Sequence, residues 1–395
     1  MKFKVPTNWQ KDLLDNIETK EIGEFYGKLD ADFVGGGRAS SFLPQVSKKG
    51  AAEHIRQIHK KGIKFNYLLN ATCLGNYEWT RRGQKQLNKL VEWLLDNKVE
   101  KVTVAIPYLL ELIKKRFPEL EVCVSTMAGV DNVERAKFWE DLGADEITLS
   151  VLDVNRNFKL LNEIRRNVNC RLSLIANAVC LYGCPFYKYH SNLSSHASQS
   201  KYPNRYFVID YCFLKCQSLR LAQPWQIIRS GWIRPEDLIY YEKGGIDQIK
   251  LLNRGMRTES LLKIVGSYTT RKYAGNLFDL FPSPDKNMTM GRKEILRKFK
   301  YFFHPEKVNL LRLSKNARWL LDNLGFYLDN QKLEGFLQYF FEGKCKFICR
   351  ECNYCKEIAD KALSFNSDHK NELLKRYDNF LEEIINGKLF FIHSA

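Results

Sequence analysis

The sequence predicts an α/β protein: a (β/α)8 barrel of the TIM type, followed by a helical extension that carries a cysteine cluster. Short apolar runs alternate with segments whose apolar residues recur at helical spacing, and eight such units follow one another. Cysteines and other polar residues come directly after several runs, where a parallel barrel carries its chemistry. Beyond Asn276 the segments become basic and helical. We therefore expect a barrel over residues 1–276 with a cysteine-ligated site, and a helical, basic extension over residues 277–395 with a second metal site.

The elements can be placed in chain order from their apolar patterns. The eight predicted strands cover residues 22–27, 63–69, 102–106, 120–126, 146–150, 171–176, 226–229 and 246–251. The predicted helices cover residues 51–61, 83–97, a segment ending at Arg116, a segment beginning near Asp131 and Asn132, and residues 158–166, 236–243 and 259–273. Three glycines at 35–37 follow the first strand without phosphate-loop spacing, so we interpret them as a turn.

Composition narrows the class of protein. Hydrophobic residues make up 45% of the 395 residues and charged residues 27%, as in ordinary globular proteins. The sequence shows no apolar run long enough to span a membrane and no signal-peptide core at its N-terminus, so we expect a cytoplasmic protein. A formal net charge of +17 favours a polyanionic partner such as RNA, although a lysine-rich solvated surface gives the same count.

The clearest motif is a pair of C-x3-C sequences after the sixth predicted strand, formed by Cys180 with Cys184 and by Cys212 with Cys216. Thiolates are strong ligands for iron–sulfur clusters and for zinc. The alternative is four unrelated buried thiols, because free cysteine is among the most buried residue types. In a reducing compartment, eleven cysteines indicate metal ligands rather than disulfides, and the paired spacing favours one shared site.

A second cysteine motif lies in the extension, where Cys345, Cys349, Cys352 and Cys355 fall within one short run. The first three have the C-x3-C-x2-C spacing of radical S-adenosylmethionine enzymes, which place that motif after the first barrel strand and leave one iron open. Here the fourth cysteine can complete the coordination. We predict a closed second metal site, either a 4Fe-4S cluster or zinc. The run 292–303 mixes five basic residues with aromatic ones, a composition seen in nucleic-acid-binding faces. We favour the alternative of an amphipathic helix that buries Ile295, Leu296, Phe299 and Phe303 on the barrel.

Several sequence features together resemble the collagenase-like peptidase family U32. They are the run 124–132, the strand-end cysteines, and the run 245–254 with Tyr268 downstream, so that the resemblance covers roughly residues 21–273. The resemblance implies a 4Fe-4S cluster bound by the four barrel cysteines. It also implies oxygen-independent hydroxylation of tRNA, ribosomal RNA or a quinone precursor, with prephenate as the oxygen donor in several members.

The chain departs from the family pattern at two places. Many members carry Arg-Glu-Leu after strand five, where this chain has Ser-Val-Leu-Asp from Ser150. They also carry Lys-Ile-Glu-Gly-Arg after strand eight, where this chain keeps Lys250 and Arg254 without the glutamate. The missing carboxylates count against a peptidase. The leading interpretation is an iron–sulfur hydroxylase acting on RNA or a biosynthetic substrate; the alternatives are a peptidase or peptide-modifying protein, and a non-catalytic electron-transfer subunit with a protein partner.

Candidate catalytic residues stand where strands end, and they are Asn177, Lys250 and Arg254. The planar guanidinium of Arg254 matches a carboxylate in bidentate fashion and Lys250 offers a second charge, so the pair suits a small carboxylate-bearing substrate. Alternatively, Arg254 pairs with Asp153 and only braces the barrel. The cysteine loop adds His190 and His196, each an acid, base or ligand if it has a partner and otherwise a solvated side chain.

Overall fold

Eight parallel strands form a closed barrel in the computed structural model, which describes residues 1–18, 20–282, 301–317, 319–320 and 322–391. The strands are β1 (Lys2–Pro6), β2 (Ile22–Gly27), β3 (Lys64–Leu69), β4 (Lys101–Val104), β5 (Glu121–Val124), β6 (Glu146–Thr148), β7 (Arg171–Ile175) and β8 (Gln248–Lys250). Each strand pairs with the next, and β1 also pairs with β8, which closes the sheet. The predicted (β/α)8 barrel is confirmed.

Two strand assignments were wrong. The segment 226–229 is helical, because Pro224 precedes a short helix, Trp225–Arg229, that buries Ile227 and Ile228 against the core. The barrel reaches eight strands through β1 at the N-terminus, which the sequence analysis did not assign as a strand. Its sequence alternates lysine with apolar residues, and Lys4 points into the barrel, where buried carboxylates neutralise it.

Helices surround the barrel. Up to residue 269 they are α1 (Lys11–Asn16), α2 (Lys48–Lys60), α3 (Arg81–Asp96), α4 (Pro107–Arg116), α5 (Val133–Asp141), α6 (Phe158–Asn167), α7 (Tyr187–His196), α8 (Tyr211–Ala222), α9 (Trp225–Arg229), α10 (Leu238–Lys243) and α11 (Thr258–Thr269). The apolar stripe predicted for α3 is buried, since Leu87, Leu90, Val91 and Leu94 all face the core. Among the described residues, no helix has the length and apolar character needed to cross a membrane.

The extension packs on the barrel helices. It contains α12 (Leu310–Ala317), α13 (Gln338–Phe341), α14 (Tyr354–Ala362), α15 (Ser367–Ile385) and a two-stranded sheet of β9 (Phe326–Leu328) and β10 (Leu363–Phe365). Helix α14 packs on α9, and α15 packs on α8. Of the predicted helix 292–303, residues 292–300 lie outside the described residues, while Tyr301 stacks on Tyr206 with ring centroids 4.2 Å apart.

A network of paired charges lies inside the barrel, near the amino-terminal ends of its strands. Lys101 Nζ lies 2.6 Å from Glu24 Oε2 and 2.9 Å from Glu146 Oε2, and Lys4 contacts the same two carboxylates. All four side chains are almost fully buried. Opposite charges from β1, β2, β4 and β6 therefore hold the barrel together from inside, where unpaired charges would be costly.

Candidate functional site

The four barrel cysteines come from two short segments at the carboxyl end of β7. Cys180 and Cys184 lie on the loop after β7, and Gly183 N of that loop donates to Leu152 O at 3.4 Å. Cys212 and Cys216 lie on α8, four residues apart and therefore on one helix face. The Asp210 side chain caps α8 by accepting from Phe213 N at 2.9 Å. This cap sets the direction in which α8 presents its two thiols.

The four thiols lie close enough to influence one another. Burial, together with the nearby Cys216 and Cys184, raises the pKa of the Cys180 thiol to about 11. Burial raises the pKa of Cys212 to about 12, with Asp210 and Cys184 acting in the same direction. Within the part of the chain that the structure describes, no three His, Cys, Asp or Glu groups are gathered tightly enough to hold a single metal ion.

The donor set nevertheless fits a thiolate-bound cluster. All four donors are soft thiols, which is the ligand type that iron–sulfur clusters use. Arg220 and Arg38 lie near Cys180 and lower the pKa of its thiol, opposing the effect of burial. Arg220 also donates to Val179 O and to Gln217 Oε1, which fixes it beside the loop. Fixed positive charge next to the thiols would stabilise the negative charge of four thiolates and their metal.

Two buried cations stand at the mouth of the barrel beside this loop. Lys250, the last residue of β8, has its Nζ 4.2 Å from the centre of the Tyr26 ring. Arg254 is only 7% exposed, and its Nη1 atom has no hydrogen-bond partner among the described residues. Burial lowers the pKa of Lys250 to about 8 and that of Arg254 to about 10. A buried donor without a partner marks a place where an anion fits.

Asp32, the acidic side chain that raises the pKa of Arg254, already has other partners. Asp32 Oδ2 pairs with Lys28 Nζ at 3.0 Å and accepts from Tyr67 OH at 2.8 Å. Asp32 Oδ1 accepts from Gly35 N at 2.6 Å. No ion pair between Asp32 and Arg254 occurs among the described residues, so Asp32 keeps its contacts with Lys28, Tyr67 and the glycine loop. The pairing of Arg254 with Asp153, the alternative raised by the sequence, is not found among the described contacts.

Arg38 is a third cation at this mouth, and the sequence analysis did not single it out. It follows the triple glycine, and burial lowers the pKa of its guanidinium while Tyr26 and Cys180 raise it. The glycine loop is held in place because Gly36 N donates to Ser198 Oγ at 2.8 Å and Gly37 N donates to Asn70 Oδ1 at 3.3 Å. The sequence signal that could have identified Arg38 is its position directly after three consecutive glycines at a strand end.

The glycine loop leaves no room for side chains. Gly35 has φ 81°, and a Cβ there would lie 2.6 Å from Ser195 O. A Cβ at Gly36 would lie 2.7 Å from Asn70 Oδ1. Only glycine combines this backbone conformation with this close approach. The turn interpretation of residues 35–37 agrees with this geometry, and the turn delivers Arg38 to the barrel mouth.

The Asn177 side chain, just after β7, forms hydrogen bonds with the segment that follows β8. Its Nδ2 donates to Leu252 O and to Leu280 O, both at 2.8 Å, and its Oδ1 accepts from Leu252 N at 2.8 Å. The side chain is fully buried. Its amide therefore joins the end of β7 to the segment after β8, which carries Arg254, and we interpret it as a positioning residue.

The two loop histidines have partners. His190 Nε2 lies 2.9 Å from Asp210 Oδ2, so the residue that caps α8 also holds α7. His196 Nδ1 lies 3.3 Å from Gln199 Oε1, and its ring lies against Tyr202. Both contacts support the packing of the cysteine loop.

The extension cysteines line a cavity of about 790 Å3 beside the barrel mouth. Cys345, Cys349 and Cys352 lie on the loop before α14, and Cys355 lies in its first turn. Residues of the barrel also line this cavity: Leu152, Asp153, Asn155, Arg156, Tyr182, Trp225, Arg229 and Gly231. The structure therefore brings the extension motif next to the Cys180–Cys184 loop, which the sequence did not predict.

A family model and a curated relative identify the family of this chain. The model of "Peptidase family U32" matches residues 33–200. The "Uncharacterized protease MJ1657" of Methanocaldococcus jannaschii is 33% identical over 332 residues, which is 84% of this chain and 86% of that protein. The "tRNA hydroxylation protein P1" of Bacillus subtilis is 25% identical over 173 residues, 42% of this chain and 38% of its own length. The solved structure "The Structure of the U32 Peptidase Mk0906" is 23% identical and overlaps with a TM-score of 0.49, covering 64% of this chain and 93% of that one. With a third of its residues shared along most of its length with the Methanocaldococcus relative, this chain belongs to peptidase family U32.

Proposed function

We propose that this protein is an iron–sulfur hydroxylase that adds a hydroxyl group to RNA without dioxygen, taking the oxygen from a small dicarboxylate. The observation that carries the proposal is the buried Nη1 of Arg254 at the barrel mouth, which has no hydrogen-bond partner among the described residues. The charge of Arg254 acts on Lys250, and that of Arg38 acts on Arg254, so this group of cations would bind a donor with two carboxylates more tightly than a neutral or basic substrate. The bidentate geometry of guanidinium would orient the donor as well as bind it.

The proposed cofactor is one 4Fe-4S cluster held by Cys180, Cys184, Cys212 and Cys216. When bound, such a cluster would supply one-electron redox chemistry at the barrel mouth. The residues around it have separate tasks. Arg254 and Lys250 bind the donor, Asn177 holds the Arg254 segment in place, and Tyr26 OH, which donates to Leu251 O at 2.5 Å, supports the same strand end.

RNA as the acceptor is supported by charge and by aromatic side chains on the rim of the same barrel face. Trp79 follows β3, is 65% exposed, and lies 4.6 Å from the Tyr108 ring. Tyr77 is 49% exposed, and Lys201 Nζ lies 4.1 Å from its ring centre. Exposed rings next to cations are the surface on which unpaired bases stack. The relative named as a tRNA hydroxylation protein supports the same substrate class.

The test compares hydroxylated nucleosides in RNA from cells with and without the gene, grown without oxygen, by mass spectrometry. We expect at least one hydroxylated nucleoside to disappear on deletion and to return with the wild-type gene. Complementation with Arg254→Ala should fail, whereas complementation with Arg257→Ala, an exposed arginine three residues later, should succeed. An unchanged nucleoside profile on deletion would overturn the RNA assignment.

A further inference from the structure

The two cysteine quartets meet through one pair of stacked rings. Tyr182 lies between Cys180 and Cys184, and Phe347 lies between Cys345 and Cys349. Their ring centroids are 6.3 Å apart and their planes differ by 13°. The Arg229 guanidinium lies 4.7 Å from the centre of the Tyr182 ring. In each quartet, the aromatic residue between the two cysteines of the C-x3-C pair therefore contacts the corresponding residue of the other quartet.

The spacing of the extension quartet favours a cluster over zinc. Structural zinc sites with four cysteines join two C-x2-C pairs through a long intervening segment. Cys345, Cys349, Cys352 and Cys355 instead form one compact run, C-x3-C-x2-C-x2-C. Closely spaced cysteines are also found at iron–sulfur sites, as in the compact C-x2-C-x2-C-x3-C run of bacterial ferredoxins, whose fourth cysteine ligates the other cluster in two-cluster proteins. All four cysteines also line one roomy cavity rather than closing on a point.

Buried positive charge surrounds this cavity. Arg156 is 5% exposed and donates to the main-chain oxygens of Ile228 and Trp232. Its guanidinium lies 4.4 Å from the Trp232 ring centre and 4.7 Å from that of Phe336. The Nε atoms of Arg156 and Arg229 have no hydrogen-bond partner among the described residues. A negatively charged thiolate cluster would compensate both arginines.

We infer that the extension quartet holds a second iron–sulfur cluster, and that Tyr182 and Phe347 connect it to the barrel cluster as an electron path. The inference rests on the barrel cluster of the proposed function. In the step we propose, a reduced one-electron carrier protein gives one electron to the extension cluster and becomes oxidised. That electron then passes to the barrel cluster, which becomes reduced while the extension cluster returns to its oxidised state. No bond is made or broken and no proton moves.

The extension quartet is accessible to such a carrier. Cys352 is exposed, and Ile348 beside it is 53% exposed. Lys346, Arg350 and the acidic Glu351 are exposed on the same loop. An exposed apolar side chain among charged ones suits contact with a carrier protein. The barrel quartet lies deeper, since Cys212 is buried, and would receive its electron through the extension.

The test measures iron, sulfide and zinc, and records electron paramagnetic resonance of the dithionite-reduced full-length protein. One variant replaces the extension pair Cys349→Ser and Cys352→Ser, and a matched variant replaces the barrel pair Cys180→Ser and Cys212→Ser. We expect each pair variant to lose half of the iron and sulfide. The full protein should give a spectrum broadened by two interacting spins, and each variant an unbroadened signal.

The outcomes separate the two claims. Iron that is unchanged in the extension variant, or zinc at that site in the full protein, overturns the second cluster and leaves the barrel cluster standing. Iron that is unchanged in the barrel variant overturns the barrel cluster instead. A spectrum equal to the sum of the two variants rules out the coupling. In freeze-quench measurements Tyr182→Leu should slow reduction of the barrel cluster relative to Tyr182→Phe, and equal rates would remove Tyr182 from the path.

Discussion

Arg254 carries its charge where water cannot solvate it, and its Nη1 atom lacks a partner among the described residues. Its neighbours explain why a ligand should supply that partner. Asp32 is already engaged by Lys28, Tyr67 and the glycine loop, so it cannot also satisfy Arg254. We therefore expect an anionic ligand, rather than Asp32, to supply the partner of Arg254.

Arg254→Ala should weaken prephenate binding. A hydrogen bond to a charged group contributes about 1.5–3 kcal/mol, so the dissociation constant should rise by about 10- to 150-fold. Isothermal titration calorimetry with prephenate on anaerobically prepared protein measures this change. Arg257→Ala removes an exposed arginine from the same segment and serves as the control. Equal affinities for the two variants would exclude Arg254 as the anchor.

Prephenate binding should also depend on the charge of Lys250. Burial lowers the pKa of Lys250 to about 8, whereas the pKa of Arg254 is about 10. The Lys250 ammonium is present below its pKa and is lost as the pH rises through about 8, so affinity should fall over that range while Arg254 stays charged. Lys250→Gln should bind more weakly at pH 7 and should not show this step. A step that persists in Lys250→Gln would assign the titration to another group.

Among the helices, α8 carries two of the four barrel cysteines, Cys212 and Cys216. Asp210 caps its first turn. Asp210 accepts from Phe213 N and pairs with His190, so it joins α7, α8 and the cysteine loop. The extension helix α15 packs on α8 from the other side, where Ser218 Oγ donates to Asp378 Oδ1 at 2.7 Å. The orientation of Cys212 and Cys216 is thus determined from both the barrel and the extension.

Asp210→Ala should lower stability and loosen the cysteine loop. Loss of an N-cap side chain costs about 0.5–2 kcal/mol of unfolding free energy. Asp210→Asn keeps a capping oxygen and should retain most of that stability. Denaturant unfolding of both variants distinguishes the contribution of the capping hydrogen bond from that of the carboxylate charge. The metal content of each variant shows whether the cysteine loop still binds its cluster. If Asp210→Asn proved as unstable as Asp210→Ala, the contact between the Asp210 carboxylate and His190, rather than the cap, would be the main contribution.

At the scale of the whole molecule, closure of the barrel depends on charges that meet inside it. Burial alone raises the pKa of Glu146, but Lys4 and Lys101 outweigh that effect and hold it well below its usual range. The strands that carry these residues lie far apart in sequence, so the network forms only when the barrel closes. Removing one member leaves a buried charge without its partner, which typically costs about 3–5 kcal/mol.

Glu146→Gln should therefore reduce the free energy of unfolding by about 3–5 kcal/mol at pH 7. Because the folded pKa of Glu146 is depressed, its contribution is present above the unfolded pKa of about 4.3 and is lost as the pH falls below it. The variant and wild type should thus converge in stability in acid. Glu111→Gln, which removes an exposed partner of Lys115, should change stability by less than about 1 kcal/mol. A constant difference between Glu146→Gln and wild type from pH 7 to pH 3 would contradict the assignment.

Features that depend on local patterns could be predicted from the sequence. The strand at Ile22–Gly27 and the buried face of α3 follow from apolar periodicity, and the cysteine spacing singled out both quartets. Features that depend on distant partners became visible in the folded chain. Strand β1 contains two lysines, and Lys4 can be buried only because Glu24 and Glu146 come from other strands. Other contacts also join segments that are distant in sequence and share no local pattern. Asn177 bonds to Leu252, Arg38 lies near Cys180, and Tyr182 stacks on Phe347.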